Sequence, residues 1–352
     1  MNRRFAVLSL FLGVACGGAT LLGSPARAAE PLNVVATLTD FGKIAEAVGG
    51  DKVKVTTIAS GVQDPHFVDP KPSYVLKLRD ADLFLVNGLE LEIGWVPPLL
   101  EGARNGRIKP GSPGYVDCSR NIPVIEVPSG QVTRAEGDVH PFGNPHYTTD
   151  PLNDKIVADT IGDALSQLRP SDAQYFAERK KAFQASIDRA LFGQELLDLV
   201  GGKKLDRLAR SGELDAFLQT EASGGVKLAT KLGGWLGQMA ALKGAKVVFF
   251  HKSYSYFNQR FGLKVADYVE LKPGIQPGPS HLADVVGTIN REKIKVVATH
   301  PFYDDKIAKL VAEKGGARLV TLPLNIGGVK GADDVLSFFN VTIRTLLGAV
   351  GK

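Results

Sequence analysis

Cysteine is nearly absent from this sequence, which has two cysteines, Cys16 and Cys118, in 352 residues. Cys16 lies in an N-terminal segment that we predict to be removed, so the mature chain keeps one thiol. An exported protein with one thiol forms no internal disulfide, and a metal site built from several thiolates is also excluded. Stability must then come from core burial, and roughly 320 residues are ample for two domains of ordinary size.

Long hydrophobic runs are also lacking beyond the N-terminus, and none is long enough to span a membrane. At the N-terminus, two arginines precede the apolar run from Phe5 to Cys16, and Ala26-Arg27-Ala28 matches an A-x-A cleavage site. This pattern predicts a signal peptide over residues 1–28, cleavage after Ala28 and a periplasmic location. Lipid anchoring at Cys16 is the second alternative, because Gly13 stands where a lipobox has leucine.

The excess of positive charge is small once the signal peptide is removed. The formal net charge is +5, and the signal peptide contributes three arginines and no acid, which leaves about +2 by subtraction. The remaining basic residues are interleaved with acids at helical spacing, which is typical of a solvated helix face. We therefore expect no nucleic-acid partner.

Strand and helix signals alternate in both halves of the chain, which predicts an α/β fold of two lobes, each a mainly parallel sheet flanked by helices. The predicted strands are 32–37, 53–58, 83–87 and 122–127 in the first half, and 247–250, 265–271, 296–299 and 319–322 in the second. Residues 170–197 are charged and helically periodic, so we expect one long rigid helix to join the lobes. The boundaries predicted are 29–169 for the N-terminal lobe and 198–352 for the C-terminal lobe, with a helical insertion near 198–243.

Three of the six histidines lie in proline turns or directly after a strand-like run. His66 stands in Gln63-Asp64-Pro65-His66-Phe67, His146 stands in Gly143-Asn144-Pro145-His146-Tyr147, and His251 follows residues 247–250. Ligands of open α/β sheets bind at the carboxyl ends of strands, and neutral imidazole is the usual zinc ligand. We therefore predict a metal site between the lobes, formed by these three histidines.

Several motifs, in order along the chain, resemble those of the zinc/manganese-type solute-binding proteins of ABC transporters. They are Asp64-Pro65-His66 through Pro70-Lys71-Pro72-Ser73, Asn87-Gly88-Leu89-Glu90-Leu91-Glu92, Asn144-Pro145-His146-Tyr147, His251 with Tyr256-Phe257 and Phe261-Gly262-Leu263, and Pro277-Gly278-Pro279-Ser280-His281-Leu282. The resemblance covers nearly the whole mature chain. It implies two α/β lobes, a rigid linking helix, a metal in the cleft, and delivery of that metal to an inner-membrane ABC permease.

The resemblance also distinguishes metals within this family. Histidine at the position of His251 resembles the zinc branch, whereas a carboxylate there resembles the manganese branch. Ligand chemistry agrees, because three imidazoles suit zinc and oxygen-rich sites suit manganese. We therefore expect a monomeric, non-enzymatic protein whose transported ligand is Zn²⁺, with manganese or another divalent metal as the alternative.

The fourth ligand is left open by the sequence. Many relatives carry an acid after the last strand, where this chain has Thr321-Leu322-Pro323-Leu324-Asn325. His300 ends the strand 296–299, where many relatives have glutamate, so His300 is the first candidate. His140 is the second candidate and a water molecule the third. Three acids are candidates to orient the imidazoles through hydrogen bonds, namely Asp64, Asp69 and Asp150. Asp69 and Asp150 are equally candidates for acids at helix N-termini.

Two other classes of function compete with transport. Three histidines around zinc with an open fourth position also describe hydrolytic zinc enzymes, but the sequence has no H-E-x-x-H pattern and no glutamate within a ligand motif. A surface adhesin is the other class, and the family resemblance allows it if Cys16 carries a lipid.

Overall fold

Two four-stranded parallel sheets organise the chain, and the computed structural model describes residues 30–130, 140–270 and 274–350. The strands of the first sheet are β1 (Leu32–Ala36), β2 (Val53–Thr57), β3 (Leu83–Val86) and β4 (Tyr115–Asp117). They pair in the order β2-β1-β3-β4 and are parallel throughout. The central strand β3 is buried along its whole length, as expected for an apolar run covered on both faces.

A short antiparallel hairpin and then the second sheet follow along the chain. The hairpin joins β5 (Ala222–Ser223) to β6 (Val226–Lys227) through two glycines with positive φ. The second sheet contains β7 (Lys246–Phe249), β8 (Lys264–Tyr268), β9 (Val296–Thr299) and β10 (Arg318–Thr321). These strands are also all parallel, in the order β10-β9-β7-β8, so β7 and β9 are neighbours.

Helices cover the two sheets, and proline occupies the first turn of several of them, where its missing N–H costs nothing. In chain order they are α1 (Thr39–Gly49), α2 (Pro72–Arg79), α3 (Val96–Ala103), α4 (Pro151–Leu168), α5 (Ala173–Phe192), α6 (Gln194–Val200), α7 (Gly202–Ser211), α8 (Leu214–Thr220), α9 (Gly234–Met239), α10 (Ser255–Phe261), α11 (Pro279–Glu292), α12 (Asp305–Gly315) and α13 (Val335–Val350).

The predicted fold class is confirmed, since each lobe is a parallel sheet flanked by helices. One large apolar core includes buried residues of both lobes, from Val34 in β1 to Leu346 in α13. A second, smaller core lies between the second sheet and the helices α11 and α12. A core that is continuous between the lobes favours a fixed geometry for residues at the ends of the two sheets.

The linking helix is shorter than the predicted range 170–197. Residues Pro170–Asp172 form a 3₁₀ turn, and α5 then runs to Phe192. Gly193 ends α5 with φ of 82°, and a Cβ at Gly193 would lie 2.8 Å from the backbone of Gly233. This close approach requires glycine and stops the helix. The helix packs against α1 and α4 of the first lobe and against α9, so it is the connection that the sequence predicts.

The prediction of a strand at 122–127 is wrong. These residues have no regular secondary structure, and the fourth strand of the first sheet is β4, which precedes them. Pro123 lacks the N–H that a central strand must donate, and Glu126 has φ of 58°, which interrupts an extended chain.

The predicted signal peptide and Cys16 lie outside the described residues. Among the residues that are described, no helix is long and apolar enough to cross a membrane. Cys118 is buried, and burial raises the pKa of its thiol well above the usual range. A buried thiol that is hard to ionise is a poor nucleophile and a poor metal ligand.

Candidate metal centre

Three histidines that are far apart in the sequence converge in the folded chain. One nitrogen from each of His66, His146 and His251 can be chosen so that these atoms all lie within 4.8 Å of one another. The ring centroids are 5.2 Å apart for His66 and His146, and 5.5 Å apart for each of the other two pairs. The rings therefore form a nearly equilateral triangle, which is the arrangement that three ligands of one ion require.

The local chain explains how each histidine reaches this point. His66 belongs to the loop between β2 and α2, and His146 immediately precedes a 3₁₀ turn that leads into α4. His251 follows the carboxyl end of β7 by two residues. His146 and His251 are 5% and 4% exposed, and the side chain of His66 is 7% exposed, so the cluster is shielded from bulk water.

Asp64 holds the His66 ring. Its Oδ1 accepts from His66 Nδ1 at 2.7 Å and from the His66 backbone N–H at 3.0 Å. Burial alone would raise the pKa of Asp64, but the hydrogen bonds from His66 keep that pKa below the usual value. An ionised carboxylate only accepts, so Nδ1 carries a proton and the ring is held with Nε2 toward His140.

Glu270 holds the His251 ring in the same way. Its Oε2 lies 2.5 Å from His251 Nδ1, and its Oε1 accepts from the backbone N–H of Gly274 at 2.9 Å. The Glu270 N–H donates to the Phe250 carbonyl at 2.9 Å, which ties the chain after β8 to the chain after β7. Sequence reasoning missed Glu270, although an acid just beyond a strand end beside a histidine-bearing strand was an available signal.

The unpaired ring nitrogen of His146 is the observation that most favours a ligand bound at this cluster. Its Nε2 is buried and has no hydrogen-bond partner among the described residues. Burial, and then the neighbouring histidines, lower the pKa of His146 well below its ordinary value, so the ring stays neutral. Buried polar atoms are nearly always paired, so a lone pair left open here fits a cation bound by the three rings.

Asn144 connects the two sides of the cluster, and sequence reasoning did not assign it a role. Its Oδ1 accepts from the His146 N–H at 2.9 Å, and its Nδ2 donates at 2.9 Å to the carbonyl of Lys252, the residue after His251. Because one amide spans both turns, the position of His146 depends on the position of His251.

Two other predicted orienting acids lie elsewhere. Asp150 accepts from the Leu152 N–H at 3.0 Å at the start of α4 and pairs with Arg260 at 2.8 Å, so it caps a helix and joins α4 to α10. Asp69 is exposed. Of the three acids considered, Asp64 is therefore the one that orients an imidazole in this cluster.

His300 is not brought into the cluster, contrary to the sequence-based expectation. The strands β7 and β9 are adjacent, as that expectation required. However, His300 Nδ1 lies 3.0 Å from the carbonyl of Leu322, and His300 Nε2 lies 2.5 Å from Ser253 Oγ. Burial lowers the pKa of His300 to about 4. Both ring nitrogens of this neutral imidazole are thus engaged by the protein itself.

His140, the second candidate, does lie beside the cluster. Its Nε2 is 3.2 Å from His66 Nε2, and the two rings are stacked with centroids 5.2 Å apart. Burial, followed by the proximity of His66 and His251, lowers the pKa of His140 to about 3. A fourth neutral imidazole is therefore available at the edge of the triangle.

A cavity of about 220 Å³ opens beside His66 and His251. Ligand pockets for organic molecules are usually about 300–1,000 Å³, so this one suits an ion with a few water molecules better. The residues that line it are Asp64, His66, Phe67, Phe250, His251, Glu270, Gly274, Gln276, Pro277, Tyr303, Asp304 and Ile307.

Comparison with known proteins agrees with this fold and site. The chain belongs to the family described as zinc-uptake complex component A periplasmic, ZnuA, which matches residues 34–191 and 218–349. It is thus a substrate-binding component of a metal ABC transporter and not an enzyme.

Sequence relatives carry names with different metals. The manganese ABC transporter substrate-binding lipoprotein PsaA of Streptococcus anginosus is 25% identical over 317 residues, which cover 89% of this chain and 86% of PsaA. The iron ABC transporter substrate-binding lipoprotein MtsA of Streptococcus pyogenes serotype M1 is 29% identical over 212 residues, which cover 59% of this chain and 62% of MtsA. These names support a metal as the transported ligand and leave its identity to the chemistry of the site.

Solved structures share the fold. A crystal structure of ZnuA matches with a TM-score of 0.66 at 20% identity and covers 91% of this chain and 99% of that one. A mutant of the laminin-binding adhesin Lmb of Streptococcus agalactiae matches with a TM-score of 0.63 at 20% identity, covering 90% of this chain and 99% of Lmb. At such identities these likenesses concern the fold alone.

Proposed function

We propose that this chain captures Zn²⁺ through His66, His146 and His251 and delivers it to a membrane permease for import. The observation that carries this proposal is the all-nitrogen character of the cluster. The nearest carboxylates, those of Asp64 and Glu270, bind the Nδ1 edges of the imidazoles. Neutral imidazoles with free Nε2 atoms suit zinc, whereas manganese favours carboxylate, carbonyl and water oxygens.

A competition titration against zinc and manganese, with metal content of the purified protein, tests this proposal. Most nitrogen sites bind zinc more tightly than manganese, so the ratio of affinities needs an internal reference. His251→Asp supplies one, because it replaces a nitrogen ligand by an oxygen ligand at the same position. We expect the zinc preference of the wild type to be much larger than that of His251→Asp. Manganese displacing zinc from the wild type at comparable concentrations contradicts the proposal.

The proposed location is the periplasm, reached through the cleaved segment 1–28, and the proposed partner is an inner-membrane ABC permease. A monomer in solution also remains a prediction. The mass of the N-terminal peptide separates a free Ala29 terminus from a lipidated Cys16, which is the form that an adhesin role requires. In cells, loss of the gene should lower zinc uptake, and the wild type but not His251→Ala should restore it.

A further inference from the structure

His140 and His66 are separated as two ligands of one ion would be. Their Nε2 atoms are 3.2 Å apart, and the planes of the rings differ by 29°. Two nitrogens bound tetrahedrally to one zinc at about 2.0–2.1 Å lie about 3.3–3.4 Å from each other. The distance between these two rings is therefore close to the distance that a shared zinc ion imposes.

Each of the two rings has another hydrogen-bond partner besides this contact. His66 Nδ1 faces the Asp64 carboxylate, which only accepts, so the ring proton of His66 is on Nδ1. The His140 ring also hydrogen-bonds to the backbone of Leu89. The Nε2 atoms of the two rings face each other across 3.2 Å, so one cation between them would bind both rings.

The backbone that faces His140 is held in an uncommon conformation. Gly88, Leu89 and Glu90 are consecutive residues with φ of 80°, 54° and 63°. Left-handed conformations are uncommon for residues other than glycine, and they cluster at functional sites. The Glu92 carboxylate stabilises this turn by accepting from the N–H groups of Asn87 at 2.6 Å and Gly88 at 3.2 Å. The turn thereby fixes the backbone of Leu89 against the His140 ring.

The chain that carries His140 is also anchored. The His140 carbonyl accepts from the Gly143 N–H at 3.2 Å, which closes a turn. Gly143 has φ of 103°, and a Cβ there would lie 2.3 Å from the side chain of Val124, so the turn packs tightly on that segment. The next residue, Asn144, donates its N–H to Ile125 at 2.9 Å. Backbone contacts of residues 140–144 therefore help to place His140.

We propose that His140 is the fourth protein ligand of the transported ion, which gives a four-imidazole site. This inference rests on the proposed function. It also narrows the choice of ion. A tetrahedral set of four imidazole nitrogens suits zinc, whereas manganese favours six oxygen ligands. The ring centroids of His140 and His146 are 6.4 Å apart, so His140 would move toward His146 when it completes the tetrahedron.

X-ray absorption of the zinc-loaded, full-length protein counts its imidazole ligands directly. We expect four imidazoles in the wild type, and three imidazoles with one oxygen in His140→Ala. Loss of an outer hydrogen-bond partner already weakens metal binding by about 10–100-fold, so loss of this ligand should weaken zinc binding at least about tenfold. Added free imidazole should restore the fourth nitrogen in His140→Ala. His281→Ala is the matched control, because His281 bonds to the Tyr268 carbonyl, outside the cluster.

Three imidazoles and one oxygen in the wild type would overturn this inference, as would wild-type affinity and ligand count in His140→Ala. In either case the proposed function stands as long as His251→Ala loses zinc binding. The proposed function itself fails if His66→Ala and His251→Ala both bind zinc like the wild type. Thermal unfolding of the metal-free variants establishes that each is folded.

Discussion

The carboxyl ends of β7 and β9 lie side by side, and each is followed by a buried histidine, yet the two histidines have different surroundings. His251 has one ring nitrogen on the Glu270 carboxylate, and its other nitrogen faces the cluster. His300 has one ring nitrogen on the Leu322 carbonyl and the other on the Ser253 hydroxyl.

This difference teaches that a position after a strand end brings a histidine near a site. The hydrogen bonds of its ring then decide whether it can bind a metal. A useful ligand has one nitrogen held and the other free. His66, held by Asp64, satisfies that condition, and the unpaired Nε2 of His146 satisfies its second half. His300 fails the second half of this condition, because both of its ring nitrogens already have partners.

The largest effect should come from His251→Ala, which removes a ring with a free nitrogen. We expect zinc affinity to fall by more than about 100-fold, since losing an outer partner alone costs about 10–100-fold. Competition with a chromophoric chelator measures this, and His281→Ala serves as the control. Zinc affinity within a few-fold of the wild type would remove His251 from the site.

Glu270→Gln should have the next largest effect on zinc binding. The amide can still accept from His251 Nδ1, but it lacks the negative charge that makes the imidazole a stronger metal ligand. We therefore expect zinc affinity to fall about tenfold. Asp64→Asn is the matched variant at His66, and a similar loss is expected there. If both variants bind zinc like the wild type, these carboxylates merely fill space beside the rings.

His300→Ala should leave zinc affinity almost unchanged and act on stability instead. The pKa of His300 is lowered from 6.5 to about 4, so its neutral form stabilises the fold above pH 6.5, and this contribution is lost as pH falls through 4. The difference amounts to roughly 3 kcal/mol. Urea unfolding of the metal-free protein at pH 8, 6 and 4.5 measures this. The free energy of unfolding should fall less with decreasing pH for His300→Ala than for the wild type. An equally steep loss would mean that His300 titrates normally.

The sequence predicts the scaffold of the site well, because strand ends follow from short apolar runs. Strand β9 is predicted residue for residue, and β7 is displaced by one residue at each end. The position of His251 follows from the rule that ligands gather at the carboxyl ends of parallel strands, whereas His66 and His146 were identified by their proline turns.

Asp64, the partner of His66, was among the candidates from the sequence, but the partners of His251 and His300 were not predicted. Glu270 lies beyond β8, and its contact with His251 depends on the pairing of β7 with β8 and on the bend at Gly274. The contact of His300 with Leu322 depends on where the chain goes after β10. These are tertiary hydrogen bonds, so the sequence can mark an acid beyond a strand end as a candidate but does not show which ring it contacts.

Ser253→Ala should have the smallest effect on zinc binding, and it separates two explanations for the exclusion of His300. It leaves His300 Nε2 buried without a partner, the condition of the same atom in His146. We expect a stability loss of about 1–3 kcal/mol with an unchanged number of imidazoles on zinc, because Leu322 still holds Nδ1 and directs the ring.

The double variant Ser253→Ala/His300→Ala completes the cycle. It removes both partners of one hydrogen bond, so it should cost less than the sum of the two single variants. An additional imidazole on zinc in Ser253→Ala would contradict this account, because it would mean that the serine hydroxyl alone keeps His300 away from the metal. If the number of imidazoles on zinc is unchanged, then the Leu322 carbonyl keeps the His300 ring away from the metal by setting its direction. That contact then distinguishes the end of β9 from the end of β7.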